Sequence, residues 1–403
     1  MDVTQELYGE GAANICVFDD VTKLVSKQST CARHGGVCCE MPNIDVLISG
    51  FSCKDLSKAN PNRKNLLTQQ VLAAESSPGK SADTLRGTLE VVEAKMPEFV
   101  LLENIDMEQD AEHASGLDKI LAELSSRGYD VQAFVLNAVD YALPQNRKRT
   151  FVVAMLSPGR KFGITNYTMF WKRFKELLQS FKVQGPAFPD AMLPVDSVLV
   201  KAELQHRLST PSKGWESGSI EIHRKEWQKV GKRWQTMHPA RSDQDSAWYN
   251  TLTARQRDAL AYHQYVSRAD SGGRFVGCDV GQSIGRMPTS TLVNGKLTLP
   301  TILPNSLIWV AADGHHRPVI AAEALMFQGW PACQPRWATL IRKMSDRDLF
   351  SLAGNAFPGT VIVALLCAFT FACEYESYRD DDASDVFTDS ASVAFAMDLL
   401  KSV

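Results

Sequence analysis

A cysteine, a carboxylate and two arginines stand where short apolar runs end in this sequence. Cys53 follows Asp45-Val46-Leu47-Ile48-Ser49-Gly50-Phe51-Ser52, Glu103 follows Phe99-Val100-Leu101-Leu102, and Arg147 and Arg149 lie in Gln145-Asn146-Arg147-Lys148-Arg149. Together these groups are the equipment for attacking a pyrimidine ring. Cytosine C5 is a poor nucleophile on its own. A thiolate adding to C6 converts the ring to an enamine-like species with a reactive C5, and the thiolate can leave again. A carboxyl group sharing a proton with N3, and arginine donors on O2, stabilise the charge that builds on the ring. Inside a duplex C6 is out of reach, so the chemistry requires a flipped base.

The elements that must position these groups are legible around them. Ile15 to Phe18, Asp45 to Ser49, Phe99 to Leu102, Val131 to Leu136 and Phe151 to Met155 read as short buried strands. Helical patterns lie between them over Thr84 to Lys95 and Leu117 to Ser126, the latter stopped by Gly128. Alternation of this kind implies a mostly parallel α/β sheet, with ligands outside the carboxyl ends of its strands. Asp20, Cys53 and Glu103 all fall at or just past such ends. Residues 156–310 differ: from Arg160 to Ser242 fifteen Lys/Arg stand against seven Asp/Glu, a local net of +8. Trp171, Trp215, Trp227, Trp234 and Trp248 interleave with those charges. Thr253-Ala254-Arg255-Gln256 has capping-box form and opens a helix through Tyr262. Regularity returns over 317–373. Thr360 to Cys373 is too short an apolar stretch to span a bilayer and reads as a core helix, so no membrane partner is expected. From Glu374 onward the acidic, small polar composition predicts a flexible tail.

Bulk properties set limits. A chain of 403 residues with 44% hydrophobic and 22% charged content is an ordinary globular protein, with two domains as the default. A net charge of -3 means a nucleic-acid partner must be held by local basic patches. Nine cysteines without a C-x-x-C pair point to reduced thiols in an intracellular compartment, with no metal site. Met1-Asp2-Val3-Thr4-Gln5-Glu6 shows no secretory signal.

Several of these segments resemble the DNA cytosine-5 methyltransferase family. Gly50-Phe51-Ser52-Cys53-Lys54-Asp55-Leu56-Ser57 is similar to its nucleophile loop, with Ser52 where proline is usual and Lys54 where glutamine is usual. Serine is expected to loosen the turn, since proline fixes φ, and Lys54 to lower the thiol pKa. Glu103-Asn104-Ile105 resembles the strand carrying the N3 partner. Leu136 to Phe151 resembles the Gln-x-Arg-x-Arg segment, with Ala142 in place of a usual glycine. Arg317-Pro318, Glu323 and Gln328-Gly329-Trp330-Pro331 resemble a segment that supports the target-recognition domain. Gly354-Asn355 resembles the last motif, and Phe18-Asp19-Asp20-Val21-Thr22 an adenine-binding segment.

The resemblance implies a Rossmann-like methyltransferase sheet with a second, irregular target-recognition domain. Domains are expected at 1–155 (catalytic), 156–310 (recognition), 311–373 (return to catalytic) and 374–403 (tail). It implies transfer of a methyl group from S-adenosylmethionine to cytosine C5 in double-stranded DNA, through a covalent Cys53–C6 adduct on a flipped base. Cys53, Glu103, Arg147 and Arg149 would be catalytic. Asp20, Val21, Leu89 and Asn355 would hold the cofactor. The family's opening strand and glycine-rich cofactor loop find no match here. The chain is therefore expected to be truncated at the N-terminus, or to need a second chain that supplies the loop, and to bind the cofactor poorly alone. A catalytically impaired nucleic-acid-binding homologue and a tRNA cytosine-5 methyltransferase are the alternatives. A DNA substrate places the protein in the nucleus.

Overall fold

The computed structural model describes residues 15–25, 30–34, 41–56, 80–108, 111–157, 162–209, 225, 227–228, 240–270, 276–282, 289–312 and 314–377. Residues 1–14, Cys38 and Cys39, and the tail from 378 lie outside them. The chain forms two compact units. The first comprises residues 1–137, 148–182 and 361–399; the second comprises 138–147, 183–360 and 400–403.

The first unit is built on four strands: β1 (Val46–Gly50), β2 (Phe99–Ile105), β3 (Tyr129–Asn137) and β4 (Lys148–Leu156), in the order β1-β2-β4-β3. β1 and β2 are parallel, and β4 runs antiparallel to both of its neighbours. The sheet is therefore mixed rather than mostly parallel as expected: three strands share a direction, but β4 is inserted against it, so two of the three pairings are antiparallel. The run Ile15 to Phe18 does not form the strand expected of it. Only Phe18 pairs, in one bridge to Cys31.

Alternation along β2 feeds both faces of the sheet. Val100 and Leu102 join Leu85 and Val92 of α1 (Lys80–Lys95) and Leu117, Ile120 and Leu124 of α2 (Ala111–Ser126) in one core. Phe99 faces the other way and stacks on Phe369 at 4.2 Å. Phe369 lies on the long helix Gly359–Ser377, whose length and apolarity alone would suit a membrane span. Val361, Ala364, Leu365, Ala368 and Ala372 of that helix are instead buried in the fold. α2 ends where Gly128 takes φ +88°, the left-handed turn that glycine adopts without strain. β1 has one hydrogen-bonded neighbour among the described residues, and Val46 and Ile48 on it are exposed.

α3 (Tyr167–Ser180) also belongs to this unit, beyond the boundary expected at 155. Its Phe170, Trp171, Phe174, Leu177 and Leu178 are buried, and Phe134 of β3 packs against Phe174 at 5.4 Å. The charges that set this segment apart in the sequence occupy its other side. Trp171 donates to Asp130 at 2.6 Å, and Trp227 and Trp248 are likewise buried. The described tryptophans of the basic stretch are core residues, not a platform for bases, and Trp215 and Trp234 lie outside the described residues.

The second unit holds α4 (Val198–Ser209), α5 (Ala254–Asp270), an antiparallel sheet of β5 (Gly277–Asp279), β8 (Ile308–Ala312) and β9 (His315–Pro318) in the order β5-β8-β9, and a hairpin of two further strands. The capping box expected before α5 is present: Thr253 N–H donates to Gln256 Oε1 at 2.8 Å, and Gln256 N–H to Thr253 Oγ1 at 3.3 Å. Asn294-Gly295 turns β6 (Thr291–Val293) into β7 (Lys296–Thr298) with φ of +51° and +77°, as a tight hairpin turn demands. Residues 311–360, expected with the catalytic domain, cluster with this unit. They include β9 (His315–Pro318), α6 (Ala321–Met326), α7 (Pro335–Lys343) and α8 (Asp346–Asn355).

The loop between β3 and β4 also clusters here, and it carries Ala142 at φ +66°. A side chain at such a φ costs about 1–2 kcal/mol, so the glycine usual at this position has a physical reason. Ala142→Gly is expected to raise stability by about 0.5–1 kcal/mol net of glycine's greater unfolded entropy. Urea denaturation would measure the gain.

Candidate active site

The loop that presents Cys53 is tied at nearly every residue. β1 ends at Gly50, directly opposite Glu103 of β2. Phe51 is buried, and its carbonyl accepts from Asn104 Nδ2 at 3.0 Å. Ser52 N–H donates to Thr84 Oγ1 at 2.9 Å. Asp55 and Ser81 exchange two bonds: Asp55 N–H to Ser81 Oγ at 3.1 Å, and Ser81 N–H to Asp55 Oδ2 at 2.9 Å. Leu56 N–H closes the turn on the Cys53 carbonyl at 3.0 Å, and its side chain is buried. Cys53 itself is half-buried at the apex, and it is a thiol rather than half of a disulfide.

Serine at position 52 does not loosen this turn. Its N–H makes a bond that proline, lacking the hydrogen, would lose. Its hydroxyl accepts from Lys54 N–H at 3.4 Å. The Lys54 side chain is exposed. Ser81, Thr84 and Asn104 are positioning residues that the sequence reading missed. The available signal was their placement: a serine and threonine three apart at the start of a helix, and an amide beside the site carboxylate.

Glu103 and Arg149 form the polar centre of this unit's strand ends. Arg149 lies opposite Ile105, two residues along from Glu103 and on the same face of the sheet. Arg149 Nε is 3.2 Å from Glu103 Oε1, and the two side chains are only 13% and 12% exposed. Arg149 Nη1 also donates to the Lys148 carbonyl at 2.7 Å. Thr150 Oγ1 accepts from Met107 N–H at 2.8 Å and fixes the chain where it leaves β2. A carboxyl and a guanidinium are thus held beside the strand end that feeds the cysteine loop.

Arg147, expected to face the base, is placed otherwise. It is 3% exposed and donates to the carbonyls of Ile302 at 3.3 Å, Gly354 at 3.3 Å and Ala356 at 3.0 Å. It is a positioning residue of the second unit that joins two motifs far apart in sequence. Gly354 is required there, since a Cβ would sit 2.3 Å from the Pro304 nitrogen. Asn355 is exposed at the end of α8, with Nδ2 donating to the Ser351 carbonyl at 2.8 Å.

The segment expected at the adenine is a 3₁₀ turn, Val21–Lys23, capped by Asp20. Asp20 Oδ1 accepts from Thr22 N–H at 3.0 Å and from Thr22 Oγ1 at 2.7 Å, and Oδ2 is 3.3 Å from Lys23 Nζ. The Thr22 hydroxyl, then the Thr22 amide, hold the Asp20 carboxyl below its usual range, so it stays an ionised acceptor. The turn rests on α1 at Gly87, where a Cβ would lie 2.9 Å from Thr22 Cα and 3.0 Å from the Val21 carbonyl oxygen. Leu89, two residues on, is half-buried against the α1–α2 face of the sheet. Gly87→Ala is expected to cost about 1–3 kcal/mol by overpacking backbone against backbone, despite alanine's better helix propensity. A fall in the urea midpoint checks it.

The segments resembling the recognition-domain support are joined by a buried ion pair. Arg317 Nη2 and Nη1 meet Glu323 Oε1 and Oε2 at 2.6 and 2.9 Å, with both side chains at most 1% exposed. Glu323 also accepts from Leu193 N–H at 2.8 Å and Ile320 N–H at 2.9 Å, and Arg317 donates to the Leu193 carbonyl at 2.8 Å. Gln328 Nε2 reaches Gln145 Oε1 at 3.3 Å.

The sequence profile of C-5 cytosine-specific DNA methylases matches residues 12–369. The chain is 25% identical over 382 residues to the DNA (cytosine-5-)-methyltransferase DMT5 of Cryptococcus neoformans var. grubii, covering 89% of this chain and 15% of that protein. It is 32% identical over 157 residues to the type II methyltransferase M.NlaX of Neisseria lactamica, covering 35% of this chain and 45% of that one. It is 31% identical over 123 residues to the type II methyltransferase M2.ScrFI of Lactococcus lactis subsp. cremoris, covering 30% of this chain and 32% of that one. The chain therefore spans less than half the length of each of these relatives. With the profile running through the cysteine loop, the Glu103 strand, the Arg149 strand and the Gly354-Asn355 helix end, this chain belongs to the C-5 cytosine-specific DNA methylase family.

Proposed function

We propose that this chain transfers a methyl group to C5 of a flipped cytosine in double-stranded DNA, in the nucleus, by way of a covalent Cys53–C6 adduct. The observation that carries the reading is the Glu103–Arg149 pair, held at 3.2 Å and nearly buried at the strand ends that flank the Cys53 loop. Cys53 forms the bond to C6 as a thiolate. Glu103 shares a proton with N3, so negative charge on the ring is neutralised where it develops. Arg149 donates to O2 and, paired with Glu103, orients the carboxyl. The methyl donor, S-adenosylmethionine in this family, supplies an electrophilic methyl group to C5. Loss of the C5 proton to a base then lets the Cys53 sulfur leave and restores the ring. Clamping by Asn104, Thr84 and Ser81 keeps the thiol at a fixed distance from the strand end, which favours attack over loop motion.

The donor set of Asp20 fits the adenine end of that cofactor, because an ionised carboxylate is an acceptor suited to an exocyclic amine. Val21 follows it in the same turn, and Leu89 lies on the helix that supports that turn. Asn355 is proposed as a cofactor residue on the resemblance of Gly354-Asn355 to the family's last motif.

Glu103→Gln tests the acid–base role. It keeps the shape and removes the exchangeable proton, so kcat is expected to fall by roughly 10²-fold or more, with KM for DNA little changed. Methyl incorporation into duplex DNA and into tRNA, measured in parallel, also separates the two substrates. Incorporation into tRNA alone would overturn the DNA reading. An unchanged kcat in Glu103→Gln would remove the carboxyl from the mechanism.

A further inference from the structure

The nine cysteines follow no familiar zinc spacing, and no metal was expected from the sequence. The fold nevertheless gathers three of its soft donors, Cys16, Cys31 and His34, with their ligand atoms all within 4.8 Å of one another. Cys31 Sγ is 3.2 Å and Cys16 Sγ 3.6 Å from His34 Nδ1. A tetrahedral ion with Zn–S of about 2.3 Å and Zn–N of about 2.0–2.1 Å places sulfur and nitrogen about 3.5 Å apart. The observed separations bracket that value. Cys31 is fully buried, Cys16 is half-buried and His34 lies toward solvent, so the cluster is anchored in the fold and open on its imidazole side. The backbone already holds the two strands of the cluster together: Phe18 bridges Cys31, and Ala32 N–H donates to the Val17 carbonyl at 2.8 Å.

We propose that Cys16, Cys31 and His34 bind a structural zinc-class ion that clips the segment carrying Asp20. Two thiolates and one imidazole are borderline-soft ligands, which favour zinc over magnesium or calcium. The fourth tetrahedral position is left to water or a further donor. Asp20 and the Val21–Lys23 turn lie between the two cysteines in sequence, so a bound ion fixes both ends of the chain that presents them. The site is distinct from Cys53, whose loop makes its bonds to α1 and Asn104. The ion would be structural, and its presence does not depend on the methyl-transfer reading.

Elemental analysis of the full-length protein, purified with reductant and without chelator, tests the proposal. About one zinc per chain is expected. Replacement by Co²⁺ should give an intense thiolate-to-cobalt band in the near-ultraviolet. C31S and H34A should lose the ion. H34C, which keeps a soft ligand, should retain it with a shifted cobalt spectrum. Should C31S or H34A fail to fold, the cobalt spectrum of the unaltered protein and of H34C decides. Metal below about 0.1 per chain would overturn the proposal. So would full metal content in a C16S/C31S double variant, or a Cys16–Cys31 disulfide in metal-free protein.

Discussion

Cys53→Ala is expected to abolish methyl transfer, with a loss on the order of 10⁴-fold or more, while cofactor and DNA affinity change little. The asymmetry follows from the geometry. Cys53 sits at the apex of a turn whose ties to Thr84, Ser81 and Asn104 are made by its neighbours, not by its own side chain. Removing the sulfur deletes the proposed bond to C6 and leaves those three ties in place. Circular dichroism and thermal melting should therefore match the unaltered protein while single-turnover kinetics do not. If Cys53→Ala retains more than a tenth of the rate, the nucleophile lies elsewhere.

The largest expected loss of stability comes from the buried pair Arg317–Glu323. Arg317→Met strands a carboxylate that is fully buried and still holds two amides, and a cost of about 3–5 kcal/mol follows. Arg317→Met with Glu323→Leu removes both charges, but leaves the Leu193 and Ile320 amides without an acceptor. Recovery in the double variant should thus be partial. Urea titrations of the two variants give the comparison. A single variant within about 1 kcal/mol of the unaltered protein would mean that the pair is not a structural tie.

The strands were legible because they carry runs such as Phe99-Val100-Leu101-Leu102, buried on both faces, and β2, β3 and β4 extend these runs by a few residues; the antiparallel insertion of β4 was not, because an apolar run carries no direction. Ile15 to Phe18 was not, because a short apolar run specifies a strand only if a partner is available. Here the partner is one residue, Cys31. The extent of α3 was hidden by composition. Lys172, Arg173 and Lys175 drew attention to charge, while Phe170, Phe174 and Leu177–Leu178 recur at helical spacing and bind the helix to the sheet. The strand-end positions of Glu103 and Arg149 were readable from the apolar runs beside them. Arg147 was not, because its partners are main-chain carbonyls 155 and more residues away, and backbone acceptors leave no mark in a sequence. The Cys16–Cys31–His34 cluster escaped for a similar reason: its closure depends on one backbone bridge rather than on a fixed spacing.

The most direct test of the central claim is covalent capture. The protein is mixed with S-adenosylmethionine and a DNA duplex containing 5-fluorocytosine, in which the C5 fluorine cannot leave as a proton does. The adduct is then mapped by peptide mass spectrometry. One denaturation-resistant protein–DNA species is expected, methyl-donor dependent, with the modification on the peptide that contains Cys53 and absent in Cys53→Ala. A protein that binds both ligands yet forms no adduct, or an adduct that survives Cys53→Ala, would contradict it.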